Sequence, residues 1–576
     1  MPLIVRNIVL RLDEPEEILL ERVASRLGLP VTGILHHAVL KRSLDARKRD
    51  DINFVYTVEL ALAGGDVDEE RCIRRRHGRG IEKITPKPST IPETGETPLA
   101  NRPLIVGFGP AGMFAALRLA EMGYCPIVLE RGRPVRARHK DIMQTFYRER
   151  QFNPESNLLY GEGGAGTYSD GKVYTRVSDP AVREVLAMFV RFGADPDLLV
   201  DAKPHIGSDR LPTICRHIRE HIERLGGEVR FESRLDELGI DDGAVRRVTI
   251  NGKAESCGPV LLGIGHSARD TFAMLQRVGV LLESRPFQFG VRIEHPQAMV
   301  NRWQYGAQAE NPRLPVADYH LVAKGAAGGC GDVYSFCMCP GGMILPTNEC
   351  AGLVATNGAS RASRSGEFAN SGFVVTLDPA AFGNDPLAGL EFQRKWERAA
   401  FEATGGSYEV PAQRCADFLS GRSSDGQLRT SYPLGGKWCA MKDVLPDVIL
   451  EALKKALPIL DRKMPGFAGQ DGLITAPESR ASAPVRIARD HQTRQSLAVK
   501  ELYPIGEGAG TQVVSSTPRS MAFVLPTRSS SAIAPSSHKP HDRLFSIAAQ
   551  DVFHHLDNAI VNRAACCDDA FVFAER

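Results

Sequence analysis

Residues Pro103–Gly132 read PLIVGFGPAGMFAALRLAEMGYCPIVLERG. The apolar run PLIV predicts a buried strand, the glycines a turn, the stretch to about Met122 a helix, and IVLE a second strand. Gly107, Gly109 and Gly112 form a G-x-G-x-x-G pattern where the strand meets the helix. Gly107 allows the tight turn, Gly109 lets the backbone approach a pyrophosphate, and Gly112 lets helix and strand pack closely. Pro110 and Ala111 open the helix, whose N-terminus turns N–H groups and a positive dipole toward phosphates. Glu130 ends the second strand 18 residues after Gly112, where a carboxylate accepts hydrogen bonds from ribose hydroxyls. Arg131 joins the cofactor-binding candidates by position. Its side chain reads as a solvated surface arginine rather than the partner of a 2′-phosphate.

This motif does not separate FAD from NAD. Two further segments favour a flavin. Leu502–Gly510 (LYPIGEGAG) is a strand ending in a glycine turn, with Gly506 and Glu507 placed to bring a carboxylate toward a ribityl chain. Tyr160–Lys172 (YGEGGAGTYSDGK) is a second glycine-rich loop whose backbone could line a flavin ring. FAD is therefore the expected cofactor, with NAD(P)H as a candidate electron donor.

Composition narrows the remaining classes. At 576 residues the chain needs more than one core. Hydrophobic residues make up 43% and charged residues 24%, as in an ordinary globular protein, and the formal net charge of +2 argues against a nucleic-acid partner. Apolar runs fall short of a membrane span, and Met1–Leu10 reads as a first strand rather than a signal peptide. Twelve scattered cysteines suit a reducing compartment, so the cytoplasm is expected, with a small-molecule substrate.

The expected fold class is α/β: a Rossmann-like FAD/NAD(P)-binding domain with an inserted mixed α+β domain and a small N-terminal α/β domain. Residues 1–65 form the N-terminal unit. In it LIVRNIVLRL alternates like a strand, EEILLERVASRLGL has helical spacing that continues through VTGILHHAVLKRSL, and INFVYTVELAL is a strand. Residues 66–101, rich in Gly, Pro, Thr and charge, read as a linker. The nucleotide-binding domain spans 102–274, with a meander near its end and a buried strand at Val260–Ile264. Residues 275–477 form the insertion, with a helix near Val444–Leu460, and 478–510 return to the first domain.

Nine segments together resemble the two-dinucleotide-fold flavoproteins and, within them, the uncharacterised FAD-dependent dehydrogenase family of bacteria. They are DARKRDDINFVYTVE (45–59), IVGFGPAGMFAALRLAEMGY, YGEGGAGTYSDGK, IGHSARDTF (264–272), FQFGVRIEHPQ (287–297), FCMCPGG (336–342), ANSGFVV, RKMPGFAG and LYPIGEGAG. The resemblance implies bound FAD, with Gly107, Gly109, Gly112 and Glu130 at its AMP half. It implies Gly163, Gly164, Gly166 and Ser169 near the ring, Gly265 in a neighbouring turn, and Glu507 near the ribitol. After Gly510 the pattern breaks. Where the family resembles YAGGIVNAAVDGIRAADAII, this chain reads TQVVSSTPRSMAFVLPTRSS. Codons chosen for Thr511–Val514 and Ser520–Arg528, read one base earlier, give YAGG and VDGIRAADA. Residues 511–576, including the low-complexity SSSAIAPSSHKPHD, therefore read as a divergent, frame-shifted tail.

Other candidates divide between chemistry and structure. Cys337 and Cys339 are a redox pair or thiolate near a flavin, or small buried cysteines in a turn before Pro340. A zinc site would need a second pair, so no metal is expected. Arg292 and His295 approach an anionic substrate, or face outward from an alternating strand. Arg480 binds a substrate anion, or makes surface salt bridges. His266 and Ser267 lie in a polar turn in which Ser267 is a fair helix N-cap. No catalytic acid or base is identifiable. A non-catalytic dinucleotide-binding sensor, or an impaired frame-shifted family member, is the alternative reading.

Overall fold

A computed structural model of the chain describes residues 3–75, 80–83, 99–173 and 180–510. The proposed frame-shifted tail lies outside the described residues, as does 84–98, the middle of the expected linker. The fold mixes parallel and antiparallel sheets with helices.

The run around Ile105 becomes the centre of a five-stranded parallel sheet. Its order is Leu502–Pro504, Val260–Leu262, Leu104–Val106, Ile127–Leu129 and Glu228–Arg230. Strands buried on both faces read as unbroken apolar runs, and Leu104, Ile105 and Val106 are all buried. Ile105, Val128, Leu261 and Tyr503 face the helices Pro110–Glu121 and Leu211–Arg224. Leu104, Val106, Leu129 and Leu262 face the opposite way, onto the antiparallel meander Leu235–Asp241, Ala244–Ile250 and Lys253–Ser256. Leu502–Pro504 pairs beside Val260–Leu262 although some 240 residues separate them in the chain.

Between these strands the chain builds a seven-stranded sheet centred on Phe287–Pro296, which pairs with Phe368–Leu377 and Leu473–Glu478. Phe287, Phe289, Val291 and Ile293 enter the largest apolar core, which the helix Asp447–Lys463 also covers. The alternating residues Gln288, Arg292 and Glu294 lie on the other face. That face is closed too, because the hairpin Gly342–Pro346/Thr356–Ser360 packs over it. Arg292 is therefore fully buried, not outward-facing, and His295, on the first face, is fully buried against Trp303 and Phe467 of the apolar core.

The N-terminal unit departs from its expected form. Residues 34–45 are not helical: Ile34–Asp45 is a strand paired with Asn53–Leu62 at the edge of a four-stranded sheet. The sheet also continues past residue 65. Within the stretch read as linker, Gly65–Arg75 is a helix, and Ile81–Lys83 pairs with Leu3–Arg11.

Candidate functional site

A cavity of about 350 Å³ opens at the carboxyl ends of the parallel strands, lined by Gly107, Glu130, Gly263–Gly265 and Ile505. That is where open α/β sheets bind ligands. Residues of the seven-stranded sheet, among them Phe336 and Cys337, line it as well.

Each glycine of the first turn answers a separate steric demand. Gly107 has φ +93°, and a Cβ there would lie 2.4 Å from the Gly263 carbonyl oxygen. At Gly112 a Cβ would lie 1.9 Å from the Gly107 carbonyl oxygen, so only glycine lets the helix approach this closely. Gly109 caps the helix in extended backbone, and its Cβ would meet nothing nearer than Gly164 Cα at 3.9 Å. The space beside Gly109 belongs to the cavity that Pro110 and Ala111 also line. Among the described residues no side chain caps this helix N-terminus.

Glu130 is buried and faces the cavity. Its Oε2 accepts from Phe108 N at 2.9 Å, and its Oε1 accepts from Gly132 N and Gly161 N, each at 2.9 Å. The carboxylate thus ties the two glycine-rich loops together. A carboxylate has about four acceptor sites, and three are taken by these bonds. Arg131 is not a solvated surface residue. It pairs with Glu155 at 2.7 Å and Asp270 at 2.9 Å and stacks over Tyr160 at 4.3 Å. Burial opposes its charge, but the bonds to Glu155 and Asp270 raise its pKa.

The second loop docks on the first. Gly163 N donates to Phe108 O at 2.9 Å. Cβ atoms at Gly164 and Gly166 would come within 2.8 Å of Gly109 Cα and 2.7 Å of Pro110 Cγ. Arg138, fully buried, donates to the carbonyls of Asn157, Glu162 and Gly164, each at 2.8 Å, and so fixes the loop from beneath. Sequence reasoning missed it. Ser169 donates to Gly166 O at 2.7 Å and lines the cavity. Gly265, with φ +68°, lines it too. From the last strand, Gly506 sits against the helix start, where a Cβ would be 2.7 Å from Ala111 Cβ. Glu507, also in the lining, accepts from Ala483 N at 3.0 Å.

Residues 286–481 match a family model described as FAD-dependent protein, C-terminal domain-like, and residues 1–61 match a domain of unknown function. A protein of Clostridium beijerinckii, itself uncharacterised, is 40% identical over 513 residues, covering 88% of this chain and 95% of that protein. The chain belongs to this family of FAD-dependent proteins. Among solved structures, Thermovibrio ammonificans THI4 overlaps 32% of this chain and 64% of its own at 18% identity and a TM-score of 0.23. CtdE, solved in complex with FAD, overlaps 71% and 78% at 11% identity and a TM-score of 0.30. Overlaps of this kind bear on neither activity nor substrate.

In this family member the remaining candidates are mostly buried charge. Ser267 is not an N-cap: Ala268 holds that position, and the Ser267 hydroxyl lies against His266 Nδ1. Arg480 makes no surface bridge. It is buried with Arg269 around Glu349 and Glu397, bonding Glu397 at 2.7 Å, Ser267 Oγ at 3.2 Å, and Glu349. Arg269 bonds Glu397 at 3.1 Å and Glu349 at 2.5 Å. Burial and the neighbouring Arg269 push the Arg480 pKa down. Arg292 pairs with Glu478 at 2.8 Å, donates to Asn370 Oδ1 at 2.7 Å, and does not line the cavity. Cys337 and Cys339 sit in the strand Val333–Cys339 rather than in a turn. Cys337 faces the cavity and Cys339 is buried beside Asp170 and Lys172, two residues that sequence reasoning did not single out.

Proposed function

We propose that this chain is an FAD-dependent oxidoreductase of the dehydrogenase type, acting on a small-molecule substrate in the cytoplasm, with NAD(P)H as electron donor. One observation carries the reading. A single cavity joins the Gly107 turn, the helix N-terminus and Glu130 to a wall that bears Cys337 and Arg480. The vacant side of Gly109 and the remaining acceptor site on Glu130 fit the diphosphate and ribose of FAD. Gly107, Gly109, Ala111 and Glu130 would hold the AMP half, and Gly163, Gly164, Ser169, Gly265 and Glu507 the rest. When bound, the flavin supplies two-electron redox chemistry.

The chain's own contribution is positional. Glu130 and Arg138 fix both glycine loops through backbone hydrogen bonds, so the cradle is preformed. The buried Arg269–Glu349–Glu397–Arg480 cluster, two cations balanced by two carboxylates, holds Arg480 in the cavity wall. Among the described residues no helix is long and apolar enough to cross a membrane.

The test is the absorbance spectrum of the purified chain, alone and with NADH or NADPH. Flavin bands that bleach on adding reduced nicotinamide support the reading. Flavin bands that no nicotinamide reduces would remove the donor, and a colourless protein would remove the cofactor. Residues 511–576 are proposed to be out of frame, so a chain with the frame restored after Gly510 is run alongside. Sequencing the gene at the Gly510 codon decides that point, and an uninterrupted frame would overturn it.

A further inference from the structure

The segment FCMCPGG places two cysteines two residues apart in a strand. In a regular strand such side chains share a face but stand roughly 6.5 Å apart at the backbone. Here the ladder to Phe368–Leu377 slips between Phe336 and Cys339, and Cys337 takes φ +44°, a left-handed conformation unfavourable for a residue with a Cβ. Such strain concentrates at functional sites. Its result is that both sulfurs and an Asp170 carboxylate oxygen lie within 4.8 Å of one another.

The surroundings are unlike those of two inert core cysteines. Cys339 Sγ is 3.3 Å from Asp170 Oδ2, 3.5 Å from Lys172 Nζ and 3.2 Å from the Cys337 carbonyl oxygen. Asp170 and Lys172 come from the glycine loop that lines the cavity, and they pair at 2.5 Å. Cys337 faces the same cavity, while Cys339 is fully buried behind it. Two thiols and a carboxylate could also be read as a metal site. The Lys172 ammonium, against both Asp170 and Cys339, already supplies these two groups with a positive charge.

We propose that Cys337 and Cys339 are a dithiol–disulfide redox pair, with Cys337 the attacking thiolate and Lys172 and Asp170 its charge and proton partners. The exchange partner is a small disulfide compound or the flavin of the proposed function, and the flavin arm alone rests on that reading. The hydrogen bond from Cys339, then the Lys172 and Arg292 cations, draw the Cys337 thiol down to about 6. Burial holds Cys339 well above the ordinary thiol range. With oxidised glutathione the chemistry balances in two steps. Cys337 thiolate attacks one glutathione sulfur, breaking its S–S bond and releasing one glutathione thiolate. Cys339 then passes its proton to Asp170 and attacks Cys337 Sγ, releasing the second glutathione and leaving a Cys337–Cys339 disulfide. Were FAD bound, it would supply an alternative two-electron acceptor for the same pair, taking up the two electrons and, by way of Asp170, the Cys339 proton.

The test needs no activity assay. The purified chain is equilibrated in glutathione buffers of stepped oxidised-to-reduced ratio, alkylated, digested and weighed. The peptide carrying both cysteines should lose both alkyl groups together and become lighter by two hydrogens, while Cys215 and Cys415 stay alkylated. Cys339→Ser should accumulate glutathione on Cys337, and Cys337→Ser should leave Cys339 a thiol. Lys172→Gln should move the pH of Cys337 alkylation upward. Both cysteines alkylated at every ratio, or an unchanged pH profile in Lys172→Gln, would overturn the proposal. Flavin content is read separately from the spectrum. A colourless protein that still forms the disulfide therefore defeats the proposed function while supporting the redox pair.

Discussion

Replacing Glu130 by glutamine preserves shape and removes one acceptor oxygen from a carboxylate that serves three backbone amides. If the new NH2 group takes the Oε2 position, Phe108 N loses its partner. If it takes the Oε1 position, Gly132 N and Gly161 N lose theirs. The milder choice removes one charge-assisted bond, worth about 1.5–3 kcal/mol, and turns the other two from charged to neutral, about 0.5–1 kcal/mol each. The local cost is therefore about 3 kcal/mol, or roughly a hundredfold in the opening equilibrium of the turn. Hydrogen exchange read by mass spectrometry, on peptides covering 104–113 and 157–165, measures that opening directly. Exchange at both should accelerate by about two powers of ten, with the seven-stranded sheet unaffected. Acceleration of less than about threefold, equivalent to ~0.6 kcal/mol, would refute the claim that Glu130 braces both loops.

Gly112→Ala and Gly109→Ala should differ sharply. The first places a methyl 1.9 Å from a carbonyl oxygen, and the second makes only an ordinary contact with Gly164 Cα at 3.9 Å; melting temperatures should show a loss of about 3 kcal/mol or more for the first alone. Arg292→Met strands Glu478 as a buried charge at a cost of about 3–5 kcal/mol, and adding Glu478→Leu should recover much of it in the same melting assay. Burial lowers the His295 pKa from 6.5 to about 4. Its folded-state value lies below the unfolded one, so the stability it contributes is present above pH 6.5 and lost as pH falls toward about 4, up to ~3 kcal/mol. His295→Gln, which still reaches Phe467 O but does not titrate, should flatten the fall in melting temperature across that window. An unchanged slope would count against it.

What could be read in advance follows a physical line. The Gly107 turn was legible because each glycine meets a local constraint that neighbouring residues already imply. The strand Ile34–Asp45 was not. It pairs with Asn53–Leu62 along one side, meets only an isolated bridge from Arg42 to Asp201 on the other, and buries no complete face, with Leu35 71% exposed, so the alternation that marks a strand is missing. Arg138 sits in the charged run RARHK and looks solvated; its partners are carbonyls about 20 or more residues away. Arg292 was placed on the correct alternation, but nothing local announces the hairpin that covers it or Glu478, its partner far down the chain. The bulge that brings Cys337 and Cys339 together depends on pairing with Phe368–Leu377, which the C-x-C spacing alone does not reveal.

Gly109→Val supplies the sharpest single measurement. The position has ordinary negative φ and room for a side chain in the folded protein, yet that room is where a diphosphate would lie. FAD affinity is titrated for the parent chain and the variant, with circular dichroism confirming equal folding. Tight FAD binding by the parent, and its loss in a well-folded variant, is the outcome predicted. Equal affinity in both, or no binding by the parent, would contradict it.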